Sequence, residues 1–241
     1  MPAHQRFPDF REDQREFFDA LIVEDWDTYR SADWDFVRRY EVQKIFSAVQ
    51  PKTILDVGCG CGFHDVEMAQ FDFVTRVDAI DNSQQSIAKA EEHYGHLKVR
   101  RWVAALDEIP LTSRYDLVVS FQVIEHLSKP VEFLTRCAAI CAEGGHVAVA
   151  TPNRRRLGNI LRSLSGKSPT MLDPQHFQEY SSAEMDSLAA QSGLVPVTHF
   201  GYGMHGIRAI DRMPVEWRTR LGSALPFAAH QFCAIYSKTA S

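Results

Sequence analysis

The chain has 241 residues, 45% of them hydrophobic and 24% charged, which is enough for one substantial α/β domain with an elaboration and cramped for two domains. A net charge of −5 argues against a surface shaped throughout to neutralise phosphates, so nucleic acid is not the expected partner. Five cysteines without a CxxC pair, a polar N-terminus without the apolar core of a signal peptide, and no stretch of membrane-spanning length lead to the expectation of free thiols in a cytoplasmic protein.

In chain order, residues 1–35 read as an N-terminal helical, aromatic segment containing Phe7, Phe10, Phe17, Phe18, Trp26, Tyr29 and Trp34, either a lid or a packing face. The main domain is expected over 36–241. Val37, Tyr40, Ile45, Phe46 and Val49 fit one face of a helix that Pro51 closes before a strand at Thr53 to Val57. Gly58 to Gly62 turn the chain into a second helix. A strand over 75–80 ends at Asp81, where Asn82 or Ser83 can cap the next helix. A third strand is expected over 99–104. Residues 115–121 read as a buried parallel strand, followed by a helix with Val131, Leu134, Ala138 and Cys141 that Gly144-Gly145 should end. A fifth strand over 146–151, a polar excursion at 153–180, and strands over 195–200 and 231–237 complete the chain. The fold class is therefore α/β: a Rossmann-like, mostly parallel seven-stranded sheet with helices on both faces. In such sheets ligands lie beyond the carboxyl ends of the strands, so the loops after Val57, Ile80, Ala104, Phe121 and Thr151 should share one crevice.

The segment ILDVGCGCGFH places Asp56 near a strand end and Gly58, Gly60 and Gly62 in the turn. Glycine serves there because the backbone needs positive φ and a Cβ would block a ligand lying on the peptide plane. The spacing is G-x-G-x-G, one residue short of the dinucleotide pattern G-x-G-x-x-G. An acidic residue at the strand mouth suits a ligand with an ammonium group and repels a pyrophosphate. Asp81, about 20 residues on, can accept hydrogen bonds from both hydroxyls of a ribose.

Together DVGCGCG at 56–62, AIDNS at 79–83, YDLVVSFQVIEHL at 115–127 and EGGHVAVATPN at 143–153 resemble the successive motifs of class I S-adenosylmethionine-dependent methyltransferases. The resemblance runs from about Arg38 to Gly193 and implies that residues 36–241 form a methyltransferase domain. It implies S-adenosylmethionine as cofactor, with Asp56 and the glycines on the methionine part, Asp81 and Asn82 at the ribose, the Ala105-Leu106 backbone at the adenine, and Phe121 around the sulfonium. Ala105 lacks the carboxylate that often reaches the adenine amino group in this family; Asp107 or Glu108 is the substitute.

Methyl transfer is an in-line displacement, so the enzyme must align an electron pair behind the methyl group and exclude water, and a hydroxyl acceptor must also lose its proton. The pattern FQVIEHL, then TPN and DPQHFQEYS, resembles ubiquinone-pathway O-methyltransferases and, more loosely, methyltransferases that modify the ends of small RNAs. In these, an E-x-x-E-H segment and a later histidine can bind a divalent metal. Here the first position is Gln122, a neutral ligand, so the expectation is a site that works without metal, with Glu125, His126 and His176 as the ligands if one binds. The catalytic residues are expected to be His126, as proton acceptor titrating near neutrality, with Glu125 and His176. Arg154, Arg155, Arg156, Arg162 and Lys167 read as a solvated face, or alternatively as a surface for an anionic substrate. The expected activity is O-methylation of a small hydroxylated molecule, with no membrane span; N-methylation, RNA-end methylation and an inactive binding module are the alternatives. The substrate and oligomeric state are not legible.

Overall fold

A computed structural model describes residues 30–238. The aromatic residues of 1–29 lie outside these. Helix α1, Ala32–Ala48, starts where the Ser31 hydroxyl accepts the Trp34 N–H, carries Asp33 and Asp35 in its positive first turn, and stops before Pro51. The remaining elements are β1 (Thr53–Val57), α2 (Phe63–Ala69), β2 (Arg76–Asp81), α3 (Gln84–His93), β3 (Val99–Val103), β4 (Tyr115–Phe121), α4 (Pro130–Ile140), β5 (Cys141–Pro152), α5 (Leu157–Leu164), α6 (Ser182–Gln191), β6 (Leu194–Tyr202), α7 (Arg208–Asp211), α8 (Val215–Ala224) and β7 (Gln231–Lys238). Among the described residues no helix is long and apolar enough to cross a membrane.

The seven strands form one sheet in the order β3-β2-β1-β4-β5-β7-β6, with β1 to β5 parallel and β7 antiparallel to both neighbours. The apolar runs of β1 and β4 alternate between two cores. Leu55, Val57 and Val118 face Leu134 and Ile140 of α4 and Met185 of α6, whereas Ile54, Leu117 and Val119 face Val42, Ile45 and Phe46 of α1 and Met68 of α2. Helices thus cover both faces, as the buried parallel strands require.

One boundary differs from expectation. Helix α4 ends at Ile140, and the Gly144-Gly145 pair lies inside β5 rather than ending the helix. Cys141 pairs with Tyr115 and His146 with Leu117, so β5 carries extra residues between two fixed pairings, and Gly144 at φ +72° makes that bulge possible.

The strand order reverses between β1 and β4, which opens a crevice at their carboxyl ends. The excursion at 153–180 closes on itself there, through a bridge between Asn153 and Tyr180.

Candidate active site

All three loop glycines have positive φ, +77° at Gly58, +53° at Gly60 and +79° at Gly62, but only Gly60 faces open space. A Cβ on Gly58 would run into Val123, and one on Gly62 would lie 2.9 Å from both Ala90 Cβ and Arg101 Nε. Two glycines therefore lock the loop to its neighbours while the middle one leaves a bare peptide surface. Gly58 and Cys59 donate backbone N–H bonds to the Ile80 carbonyl at 2.8 and 3.0 Å. The Asp81 carboxylate accepts from Gly60 N at 2.9 Å through one oxygen and from Ser83 N at 2.8 Å through the other, which ties the loop to the turn after β2. Ser83, not Asn82, caps α3, and Asn82 is exposed.

Asp56 is 1% exposed, and neither carboxylate oxygen has a hydrogen-bond partner. Burial, reinforced by the charges of Asp65 and Asp81 and opposed by Arg101, pushes its carboxyl well above the ordinary range. A buried carboxylate left unpaired near the end of β1, followed by a loop that leaves room at Gly60, has the form of a site missing a donor.

At the far side of the crevice Ala105 opens a single turn, Leu106–Glu108. Glu108 bends back to accept the Ala105 N–H at 2.7 Å, whereas Asp107 is exposed. Phe121 is buried among the residues of the α1 side, its ring stacked on His64.

After β4 the chain makes a tight turn. Gln122 has φ +56°, the only non-glycine with positive φ among the described residues, and its N–H donates to the Ala150 carbonyl at 2.9 Å. Its side-chain Nε2 is buried with no partner. Glu125 is fully buried; its Oε2 accepts from Thr151 Oγ1 at 2.9 Å and its Oε1 has no partner. Burial raises this carboxyl to about 7.

Phe177 N and Gln178 N both donate to the Glu125 carbonyl, at 2.8 and 3.3 Å, which lays the end of the excursion against this turn. His176 thereby meets His126, with ring centroids 4.8 Å apart and planes at 78°. The ligand atoms of Glu125, His126 and His176 all lie within 4.8 Å of one another. The expected catalytic trio is thus brought together. His126 does not titrate near neutrality, however: burial, with the neighbouring His176, pushes it down to about 4. His176 Nδ1 is held by Glu179 at 3.1 Å, and Glu179 is gripped by the buried Arg156.

The basic run is mostly used within the fold. Arg156 also donates to the Thr170 carbonyl, Arg154 pairs with Glu184 at 2.7 Å and Arg162 bonds the Ser168 carbonyl at 2.9 Å, leaving Arg155 and Lys167 on the exposed surface. A cavity of about 510 Å³ lies on this excursion, lined by Arg154, Arg155, Asn159 and Ile160 among others. A second, of about 360 Å³, lies beside α2, lined by Arg38, Phe63 and Tyr94 among others. The cysteines Cys59, Cys61, Cys137, Cys141 and Cys233 are all free and buried, with their thiols pushed up.

Three residues near the loop escaped the sequence reading. Arg38 is buried with its guanidinium 3.8 Å from the Phe63 ring centroid, and its charge is felt at Cys61. Arg101 pairs with the buried Asp65 at 2.8 Å, and His64 bonds Glu41 at 2.9 Å. Arg38 on α1, Arg101 on β3 and His64 after the glycine loop look like surface residues in a sequence; the packing of α1 on α2 covers Arg38 and His64, and Asp65 with the Tyr94 carbonyl holds Arg101.

Residues 31–199 match the family model described as a methyltransferase domain. The chain belongs to this family. It is 32% identical over 177 residues to a Mycobacterium tuberculosis strain H37Rv protein named "Probable S-adenosylmethionine-dependent methyltransferase Rv3030", covering 72% of this chain and 60% of that one. It is 27% identical over 182 residues to a Bordetella avium ubiquinone biosynthesis O-methyltransferase, covering 72% of this chain and 71% of the relative. The fold is that of Synechocystis magnesium protoporphyrin IX methyltransferase solved with S-adenosylhomocysteine, with TM-score 0.67, 13% identity and coverage of 94% of this chain and 99% of that one. It is likewise that of the N-methyltransferase NodS from Bradyrhizobium japonicum, with TM-score 0.62, 13% identity and coverage of 96% and 100%.

Proposed function

We propose that the protein is an S-adenosylmethionine-dependent methyltransferase that methylates an oxygen of a small hydroxylated molecule. The observation that carries this reading is Asp56, a buried and unpaired carboxylate near the end of β1, just before the loop in which Gly60 faces open space. An α-ammonium group would donate to it and offset its charge. Asp81, at the end of β2, would meet a ribose and the Ala105-Leu106 segment an adenine, while the Arg38 cation supports an anionic end near Cys61. Phe121 supports the site from the core side, next to the bond-forming region. When bound, the sulfonium supplies the electrophilic methyl group; the chain's own part is to align the acceptor, exclude water and take a proton.

The likeness to the Bordetella enzyme supports an O-methyltransferase of the ubiquinone-pathway type. Glu125, His126 and His176 also fit a divalent metal, since Glu125 Oε1 is unpartnered and His176 is held through Nδ1 by a carboxylate, in the manner of a ligand's outer shell. A metal there would polarise the acceptor oxygen. Neutral Gln122 beside them leaves a single carboxylate in the set, a poor match for a hard cation, and the proposed transfer does not depend on a metal.

Calorimetry with S-adenosylmethionine and S-adenosylhomocysteine tests the reading. Both should bind and raise the unfolding temperature, and Asp81→Ala should weaken binding by about 1 to 3 kcal/mol. Absence of binding to the wild type refutes it.

A further inference from the structure

Two buried atoms of opposite hydrogen-bonding sense are left unmatched on the turn after β4. Gln122 Nε2 is a donor without an acceptor, and Glu125 Oε1 is an acceptor without a donor. Both residues are pinned to consecutive positions of β5, Gln122 through its backbone N–H to Ala150 and Glu125 through Oε2 to Thr151. Gln122 holds its place in a left-handed conformation that side-chain-bearing residues rarely adopt. Val123, next to it, packs where a Cβ on Gly58 would lie, so this turn sits against the cofactor loop.

We propose that Gln122 and Glu125 form a clamp for the acceptor's nucleophilic oxygen, and that Gln122 selects hydroxyl over amine acceptors. The inference deepens, and rests on, the methyltransferase reading. A hydroxyl oxygen has one O–H and two lone pairs. Its O–H donates to Glu125 Oε1, one lone pair accepts from Gln122 Nε2, and the second attacks the methyl carbon. A neutral amine has a single lone pair, which must face the methyl group, so the Gln122 N–H has nothing to bond and remains buried and unpaired. Leaving such a donor unmatched carries a real penalty, which becomes discrimination between acceptors. In the transfer itself the C–O bond forms as the C–S bond breaks, sulfur keeps that electron pair as a neutral thioether, and the hydroxyl proton passes to Glu125 Oε1.

Phenol and aniline, nearly equal in size and both neutral at pH 7.5, are suitable probes. The full chain, labelled with ¹⁵N and saturated with S-adenosylhomocysteine, is titrated with each while the Gln122 side-chain amide resonance is followed. That resonance is identified as the one absent from Gln122→Met, with Gln122→Leu as the second donor-free variant should Met disturb the fold. Phenol is expected to move it downfield and aniline to leave it in place, and phenol should bind either variant about tenfold more weakly. An equal response to aniline, no response to phenol, or unchanged phenol affinity in the variants overturns the clamp. So does zinc sulfate abolishing the phenol response, which would assign the pair to a metal site. Calorimetry with S-adenosylhomocysteine in parallel keeps the two readings apart: the variants should bind it as the wild type does, and failure of the wild type to bind it refutes the methyltransferase reading itself.

Discussion

The His64 imidazole lies flat on the Phe121 ring, with centroids 3.7 Å apart and planes 5° from parallel. Its Nε2 meets Glu41 at 2.9 Å, and the other Glu41 oxygen accepts from the Tyr202 hydroxyl. Glu41 and Tyr202 are both buried, so the chain of contacts joins α1, α2, the end of β4 and the end of β6 behind the crevice. His64→Ala removes the stack and leaves a buried carboxylate with one partner fewer. The expected loss of stability is about 1 to 3 kcal/mol in urea unfolding. His64→Phe keeps the stack without the polar contact and should recover only part of it; a His64→Ala protein as stable as wild type would make the contact incidental.

Gly58 and Val123 interlock, and this can be read in a double-mutant cycle. Gly58→Ala places a methyl group against Val123 at a residue with φ +77°. It should lower stability by about 2 to 4 kcal/mol and abolish S-adenosylhomocysteine binding. Adding Val123→Ala removes the clash and leaves the backbone strain, so the pair should be less damaging than the two single effects summed. Strict additivity would show that the two residues do not touch.

Much of this fold was legible because parallel strands buried on both faces write themselves as apolar runs, and because a turn that needs positive φ spells itself in glycine. Asp56, Gly58, Gly60 and Asp81 follow from those two rules. The Gly144-Gly145 pair misled, since glycine ends helices and makes bulges alike, and only the pairing of Cys141 with Tyr115 decides between them. His126 and His176 are fifty positions apart in the chain, and what joins them is a pair of backbone bonds to the Glu125 carbonyl, which leave no mark in composition. Arg38 and Glu41 were illegible for a related reason: charged residues on a helix look solvated until a second helix covers them.

His230 predicts an acid limb in the stability profile. Its Nδ1 is buried without a partner, and burial, with the positive charges of His205 and Arg156 and against those of Glu179 and Asp211, pushes its pKa from 6.5 to about 3. Between these values the unfolded chain binds a proton that the folded one does not. Stability should therefore rise with pH through the window, be fully present above about 6.5, and be lost toward 3, by an amount on the order of 3 kcal/mol. His230→Gln should flatten that limb in unfolding measured from pH 3 to 7. An unchanged slope assigns it to other groups.

Metal removal separates two uses of the same cluster. With Gln122 neutral and Glu125 the single carboxylate of the set, EDTA treatment is expected to leave most methyl transfer in place. Complete loss, restored by a divalent ion, would make the cluster a required metal centre.

The sharpest test concerns which side chain takes the acceptor's proton. A general base works best when its pKa lies near the working pH. Burial raises Glu125 to about 7, whereas burial and His176 lower His126 to about 4, leaving an imidazole that is neutral but weakly basic. Glu125 also has its Oε1 unengaged, and His126 lies beside it with Nδ1 toward the Gln175 carbonyl at 3.4 Å. Glu125→Gln should therefore lower turnover by roughly 100- to 10,000-fold with little change in cofactor affinity, and the deficit should shrink at high pH, where more acceptor is already ionised. His126→Ala should cost about tenfold, chiefly through loosening of His176. Single-turnover rates with methyl-labelled S-adenosylmethionine across pH compare the two directly, and the reverse order, with His126→Ala the more damaging, returns the proton to the imidazole.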